Sequence, residues 1–387
     1  MSNKRLSTWI CFAILMFYAM VLTAIGPLLT EISRSFGLNM TQAGFLFTVN
    51  FAGFSVFILF GGIAADQWGK KPVLAVALGA STLCLLMFPL SPGFFVACVA
   101  TFFIGGCSGI VESIANALIA DLNADRPGFY VNLAQIFFGL GALLGPVLIG
   151  LGLSAGIGWQ TDYMILSGIF LLLTVVFLLN RLPDLPPSNK ISLSFMRNLL
   201  TDRKFLLFCL CMLLYTGSEV GAWGWMSTFM QQEFAFNPVQ SSLAVGIFWA
   251  AIIVGRFICT IANLKVSTKL LVIILAYASA VVTVLSGLVK SELEIWIVVV
   301  ALGLAFSGQW SLIVTHGSSH YKQYSGTIFA AYVGSGGVGM ALIPFVMGVV
   351  GQYAGLRASM VSTAVFFIGI GVIFMFIDKL KFNEERQ

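Results

Sequence analysis

Twelve apolar runs, most of them about 20 residues long, follow one another along this chain with short polar breaks between them. That succession leaves few folds open. A run of this length crosses the hydrocarbon layer as a helix, whereas a barrel strand needs only about 10 residues of alternating character. Lipid offers the backbone no hydrogen-bond partners, so each segment must satisfy its own N–H and C=O groups. Hydrophobic residues make up 59% of the chain and charged residues 9%, too little polar surface to clothe a water-soluble domain. The expectation is an all-α integral membrane protein with the lipid bilayer as solvent.

The runs fall near 8–33, 42–66, 71–90, 93–120, 129–153 and 160–180, then near 203–232, 238–262, 268–288, 292–317, 323–352 and 357–378. The first, after Lys4 and Arg5, is too long for a signal-peptide core and has no small-residue cleavage site, so it reads as a span. Between the two sets lies 181–202, the one long polar stretch, with Pro183, Pro186 and Pro187. The expected plan is two pseudo-symmetric six-helix bundles, 1–180 and 203–387, joined by a cytoplasmic linker over 181–202.

Basic residues orient the chain. With the N-terminus inside, sixteen of the 20 Lys and Arg fall on cytoplasmic segments, including Lys70, Lys71, Arg126, Lys190, Lys265, Lys322 and Lys379. Only Arg34, Lys290 and Arg357 fall outside, and Arg256 sits near a span end. The net charge of +5 therefore reflects topology in an inner membrane, both termini cytoplasmic, and does not signal a nucleic-acid partner.

The halves repeat. Gly128, Gly139, Gly141, Pro146 and Gly150 in span five, shifted by 198, land on Gly326, Gly337, Gly339, Pro344 and Gly348 in span eleven. Matching Gly and Pro punctuation implies matching helix packing and bending. Two like halves around a central site are what alternating access requires, so a secondary transporter for a small-molecule substrate is expected, functional as a monomer.

Glu112 in span four and Glu219 in span seven are the two acids deep in the runs. A carboxylate in hydrocarbon costs about 2.5–3.5 kcal/mol or more and is most easily neutralised by taking up a proton. Both are candidate proton-coupling residues, with sodium as the other possible ion. Glu112 shares a helical face with Gly105, Ser108 and Asn116. Tyr215, Glu219 and Trp223 form an i, i+4, i+8 stripe with Trp225 beside it; aromatic faces and hydrogen-bonding tips suit a polyhydroxyl solute. Asn50, Asn132, Gln135, Gln309 and Trp310 are further candidate substrate contacts.

No cofactor or metal is expected. His316 and His320 are spaced i, i+4, but two ligands leave a site incomplete. The seven cysteines all lie in apolar runs and read as small hydrophobes. No nucleophile–base pair suggests an enzyme.

The stretch Gly62-Ile63-Ala64-Ala65-Asp66-Gln67-Trp68-Gly69-Lys70-Lys71 resembles the G-x-L-A-D-R-x-G-R-K signature of the major facilitator superfamily, with Gln67 where the family has Arg. The resemblance implies a gating role for Asp66, Gly69, Lys70 and Lys71 in a loop that latches the cytoplasmic side. Gly255-Arg256-Phe257, Asn132-Leu133-Ala134-Gln135 and Glu112-Ser113-Ile114-Ala115-Asn116 are similar to the fucose–proton branch of sugar symporters. That likeness makes Arg256 a further gating candidate, Glu112 the coupling residue and a sugar the substrate. The branch also carries an acid in span one, where this chain has Val21-Leu22-Thr23-Ala24-Ile25-Gly26-Pro27. The alternative is a proton-driven efflux antiporter for drugs or metabolites. Gly141-x3-Gly145-Pro146-x3-Gly150 resembles that group's Gly–Pro signature, while span four has Gly105 and Gly106 in the neighbourhood of its Arg.

Overall fold

A computed structural model describes residues 4–181, 202–318 and 325–377. In chain order the helices are α1 (Lys4–Phe36), α2 (Met40–Trp68), α3 (Lys70–Met87), α4 (Phe94–Leu122), α5 (Pro127–Ser154) and α6 (Trp159–Leu179). Then follow α7 (Arg203–Phe234), α8 (Pro238–Ala262), α9 (Thr268–Leu288), α10 (Glu292–Phe306), α11 (Gln309–Ser318), α12 (Ser325–Ser362) and α13 (Ala364–Phe376). No strand occurs among the described residues. Eleven segments are long and apolar enough to cross a membrane, and the eleventh, Ala331–Phe376, bends at Gly355 (φ 85°, ψ 162°) into two crossing lengths. The count is twelve, in an all-α fold.

Most of the expected linker (182–201) lies outside the described residues, as do His320, Lys322, Lys379, Lys381 and Arg386. Elsewhere the expected spans are found: α8 and α9 have the expected bounds, α3 stops short at Met87, and α1, α2 and α5 run past theirs at both ends, where the backbone's own helical hydrogen bonds remain its nearest partners. Two expectations need correction. The stretch 62–71 is not a loop: α2 runs through Trp68 and α3 begins at Lys70. The whole turn is Gly69, at φ 89° and ψ 152°, a conformation that a side chain would strain. The tenth span is not one helix either. It breaks at Ser307 and Gly308, and Gly308 sits at φ 72°.

The described residues group into two compact units. The first holds 4–39, 45–181 and 226–246; the second holds 40–44, 202–225, 247–318 and 325–377. In the first, α1 packs on α4, α5 and α6, and α3 on α4 and α6. In the second, α9 packs on α10 to α13. The α3–α4–α6 cluster and the α9–α10–α13 cluster correspond span for span.

Close backbone approaches explain the repeated glycines. At Gly141 a Cβ would strike the Met16 carbonyl; at Gly339 it would strike the Leu213 carbonyl. Gly105 abuts the Asn50 backbone, and Gly303, 198 residues on, abuts the Phe248 backbone, itself 198 residues after Asn50. Gly150 meets Pro238 and Ser242 within the first unit, while Gly348 meets Met40 and Gly44 within the second. In a bilayer, where no hydrophobic effect drives helices together, such contacts let dispersion between bare backbones hold the bundle. The repeat read from span five therefore extends into α2, α4, α8 and α10.

Candidate functional site

In the first unit Glu112 faces α1. Tyr18 Oη donates to Glu112 Oε2 at 2.7 Å, although 94 residues separate the two. One turn on, Asn116 Nδ2 donates to the Glu112 carbonyl oxygen at 2.9 Å, and Gln135 Nε2 on α5 stands 3.5 Å from Asn116 Oδ1. Glu112, Asn116 and Gln135 thus form one polar string across α4 and α5, closed on the α1 side by Tyr18. Tyr18 was not singled out in the sequence. Its signal was weak, being one aromatic residue in an apolar run, and only the packing of α1 on α4 brings it to the acid.

One turn before Glu112 on α4, Ser108 lines a small cavity together with Asn50 and Thr101; Val21, Ile25 and Ile104 supply apolar wall. Asn50 Nδ2 donates to the Thr101 carbonyl oxygen at 3.2 Å, and the buried Thr101 hydroxyl finds no hydrogen-bond partner. Gly105 does not open this face to water; it seats the Asn50 backbone against α4. Asn132, at the start of α5, is exposed.

In the second unit Tyr215 Oη lies 2.9 Å from Glu219 Oε1 and 2.9 Å from the Phe306 carbonyl oxygen at the end of α10. Arg256 on α8 acts electrostatically on both Tyr215 and Glu219. The structure thus joins a gating candidate to a coupling candidate that the sequence had kept apart. Trp223 and Trp225 are buried at 1% and 0% exposure, and Trp225 Nε1 donates to the Pro344 carbonyl oxygen at 3.0 Å. Trp310 is half-buried at the start of α11. Gln309 is fully buried; its Nε2 donates to Ser279 Oγ at 2.8 Å and to the Ala305 carbonyl oxygen at 3.0 Å. The bond to Ser279 fastens the broken span to α9.

At the end of the first unit that carries the α2–α3 turn, Lys70 pairs with Asp121 at the close of α4, both partly buried at 18% and 26% exposure. Lys71 Nζ donates to the Asn180 carbonyl oxygen at 2.7 Å, and Asn180 Nδ2 donates to Ser7 Oγ at 2.9 Å. Asn123 Nδ2 reaches Thr8 Oγ1 at 3.1 Å, and Lys4 pairs with the exposed Asp125 at 3.1 Å. The Lys4 hydrogen bond holds the Asp125 carboxyl below the usual carboxylate range. Asp66 stands at the end of α2, one helical turn before Lys70. Asp121, which the sequence reading set aside as one acid among several at span ends, is the partner Lys70 finds in the fold.

No group of three or more metal-ligating side chains occurs among the described residues.

Comparison with known proteins fits this architecture. The chain is 23% identical over 360 residues to a TsgA homologue of Buchnera aphidicola subsp. Baizongia pistaciae, covering 92% of this chain and 90% of the relative. Among solved structures it is similar to a variant of the nucleoside transporter NupG, with TM-score 0.80 and 14% identity, covering 97% of this chain and all of that one. It is also similar to a variant of the Escherichia coli fucose:proton symporter FucP, with TM-score 0.62 and 19% identity over 95% and 97% of the two chains. At such identities these structures attest the fold. The family profile matches residues 11–344, and the chain belongs to the Major Facilitator Superfamily: it is a multi-pass membrane transporter of a small-molecule substrate, not an enzyme.

Proposed function

We propose that this transporter imports a sugar or related polyhydroxyl solute across the inner membrane together with a proton. Two six-helix halves, 1–180 and 203–387, joined by the 181–202 linker, alternate the exposure of the site, and both termini are cytoplasmic. The protein works as a monomer. The observation that carries the reading is the Tyr18–Glu112–Asn116–Gln135 string. It combines one proton-exchanging group with amides that donate and accept, which is what hydroxyl-rich solutes need. Tyr18 supplies from span one a hydroxyl that hydrogen-bonds Glu112 in either protonation state. An acid at that position, as in the fucose–proton branch, is therefore not required to solvate the carrier.

Asn50, Tyr215, Trp223 and Trp310 complete the set of candidate contacts, with Asn132 at its exposed margin. Asp66, Gly69, Lys70, Lys71 and Arg256 are the gating candidates. In that group Lys70 is braced by Asp121, so the inner turn moves with α4, the helix that carries Glu112. The similarity to FucP favours a hexose, and that to NupG widens the class to ribose-bearing solutes.

The test is uptake into inverted and right-side-out vesicles with labelled sugars and nucleosides, imposing pH and sodium gradients separately. Inward accumulation driven by the pH gradient alone is expected for at least one polyhydroxyl solute. Accumulation that follows sodium only, or pH-driven extrusion of the solute, overturns the reading.

A further inference from the structure

We infer that the proton on Glu219 is read by the break in span ten, with Tyr215 as the positioning residue between them. The inference deepens the proton-coupling reading above and rests on it for its use in transport, but its physical basis is separate.

Tyr215 Oη carries one hydrogen and has two oxygen neighbours at 2.9 Å, Glu219 Oε1 and the Phe306 carbonyl oxygen. A carbonyl only accepts. When Glu219 is a carboxylate, it too only accepts, and two acceptors compete for one hydrogen. The charged oxygen wins, since a bond to an ionised acceptor is roughly twice as strong as one to a neutral carbonyl. When Glu219 is protonated, the chain of donors closes. The carboxyl O–H donates to Tyr215 Oη, and Tyr215 O–H donates to Phe306. Glu219 thus decides whether the Phe306 carbonyl is held.

That carbonyl ends α10. Ser307 leaves the helix with ψ 148°, Gly308 follows at φ 72°, and α11 starts at Gln309. The carbonyl one residue earlier, on Ala305, is held by Gln309 Nε2 at 3.0 Å and by Ser279 Oγ at 3.1 Å, neither of which titrates. Adjacent residues before the break thus carry a proton-independent anchor, on Ala305, and a proton-dependent one, on Phe306. Freeing the second leaves Ser307 and Gly308 able to rotate about the first, as hinge residues at helix ends do.

The other titratable groups acting on the pair are Arg256 and Cys259 of α8. Arg256 is a guanidinium and acts on the pair as a fixed neighbouring charge. Cys259 Sγ stands 3.8 Å from the Ser307 carbonyl oxygen and 3.7 Å from Ser307 Oγ, so it touches the break and must be tested.

The experiment is hydrogen–deuterium exchange of peptides covering 304–312 in the full-length protein in nanodiscs. Rates are corrected for intrinsic pH dependence and compared between about pH 5 and about pH 9, a span wide enough for a buried carboxyl to titrate. Exchange in the wild-type segment should rise roughly tenfold as Glu219 loses its proton, the scale of one hydrogen bond lost. Glu219→Gln keeps a donor facing Tyr215 at every pH, so the segment should stay protected and flat. Tyr215→Phe should be fast and flat. Cys259→Ala should keep the wild-type profile.

A pH-independent wild type overturns the inference without any variant being made. So does a Glu219→Gln protein that retains the wild-type profile, or a Cys259→Ala protein that loses it. None of these measurements needs a substrate. Failure of the import reading would leave the exchange profile standing, and a flat profile in a pH-driven importer would remove this inference alone.

Discussion

The α4 helix of the first unit and the tenth span of the second occupy matching places in the repeat, yet one is whole and the other broken. Ser108 and Phe306 are 198 residues apart, as are Gly109 and Ser307, and Ile110 and Gly308. Helix α4 runs uninterrupted through its three, whereas α10 ends at Phe306 and α11 starts after Gly308. Each place has a Tyr–Glu pair beside it. Tyr18 reaches Glu112 from another helix; Tyr215 and Glu219 share α7, and the Tyr215 hydroxyl also touches the end of α10. The same two residue types thus meet on an unbroken helix in one unit and at a helix break in the other.

The strongest way to break that comparison is to neutralise each acid. Glu112→Gln keeps volume and hydrogen bonding but cannot release a proton, so pH-driven accumulation should be abolished while exchange of preloaded substrate persists. Glu219→Gln should slow uptake by about tenfold yet reach the same final gradient, because Glu112 still delivers the proton. Time courses of uptake and counterflow separate the two. Loss of accumulation in both variants would make the units equivalent carriers.

The next effect tests the packing that the units share. Gly141→Ala and Gly339→Ala each push a methyl into a neighbouring carbonyl and should each cost about 1–3 kcal/mol of stability. Gly334, on α12 with open space where a Cβ would stand, should accept Ala without loss. Thermal unfolding in one detergent compares the three. A penalty at only one of the paired glycines would show that the repeat is shared in sequence and not in mechanics.

Much of this architecture was legible before any coordinates. Run length and the requirement for internal hydrogen bonding dictated the helices, and the offset of 198 announced the repeat. The candidate site was only partly legible. Glu112, Asn116 and Gln135 were found through spacing and resemblance, but Tyr18 and Asp121 were not, because each acquires its role from a residue about 50 to 100 positions away, a contact that no local pattern encodes.

The smallest effect concerns the α2–α3 turn and the ends of α1 and α4 beside it. The matching position to Lys70 is Thr268, which donates to Asn263 Oδ1 at 3.1 Å. A double-mutant cycle on Lys70 and Asp121 should give a coupling of about 1 kcal/mol, as expected of a partly buried pair. Lys4 and Asp125 should give none at physiological salt, since both are exposed. At low salt the Asp125 contribution has a definite sign. Its carboxyl titrates below the usual range when folded, so stability is gained above that range and lost as the pH falls through the lowered value. Melting temperature against pH, with Asp125→Asn as reference, reads it.

By itself the sequence determined the solvent, the number of crossings, the repeat and the presence of two intramembrane acids, because each of these follows from local composition and period. Tertiary structure decided which hydroxyl meets which acid, that Gln309 ties the tenth span to α9, and that the span breaks. An apolar run looks the same whether or not its helix is continuous. Ser307 and Gly308 are compatible with either state, and what tips them is the capture of the freed carbonyls by Gln309, Ser279 and Tyr215, groups that come together only when the span packs against α9 and α7.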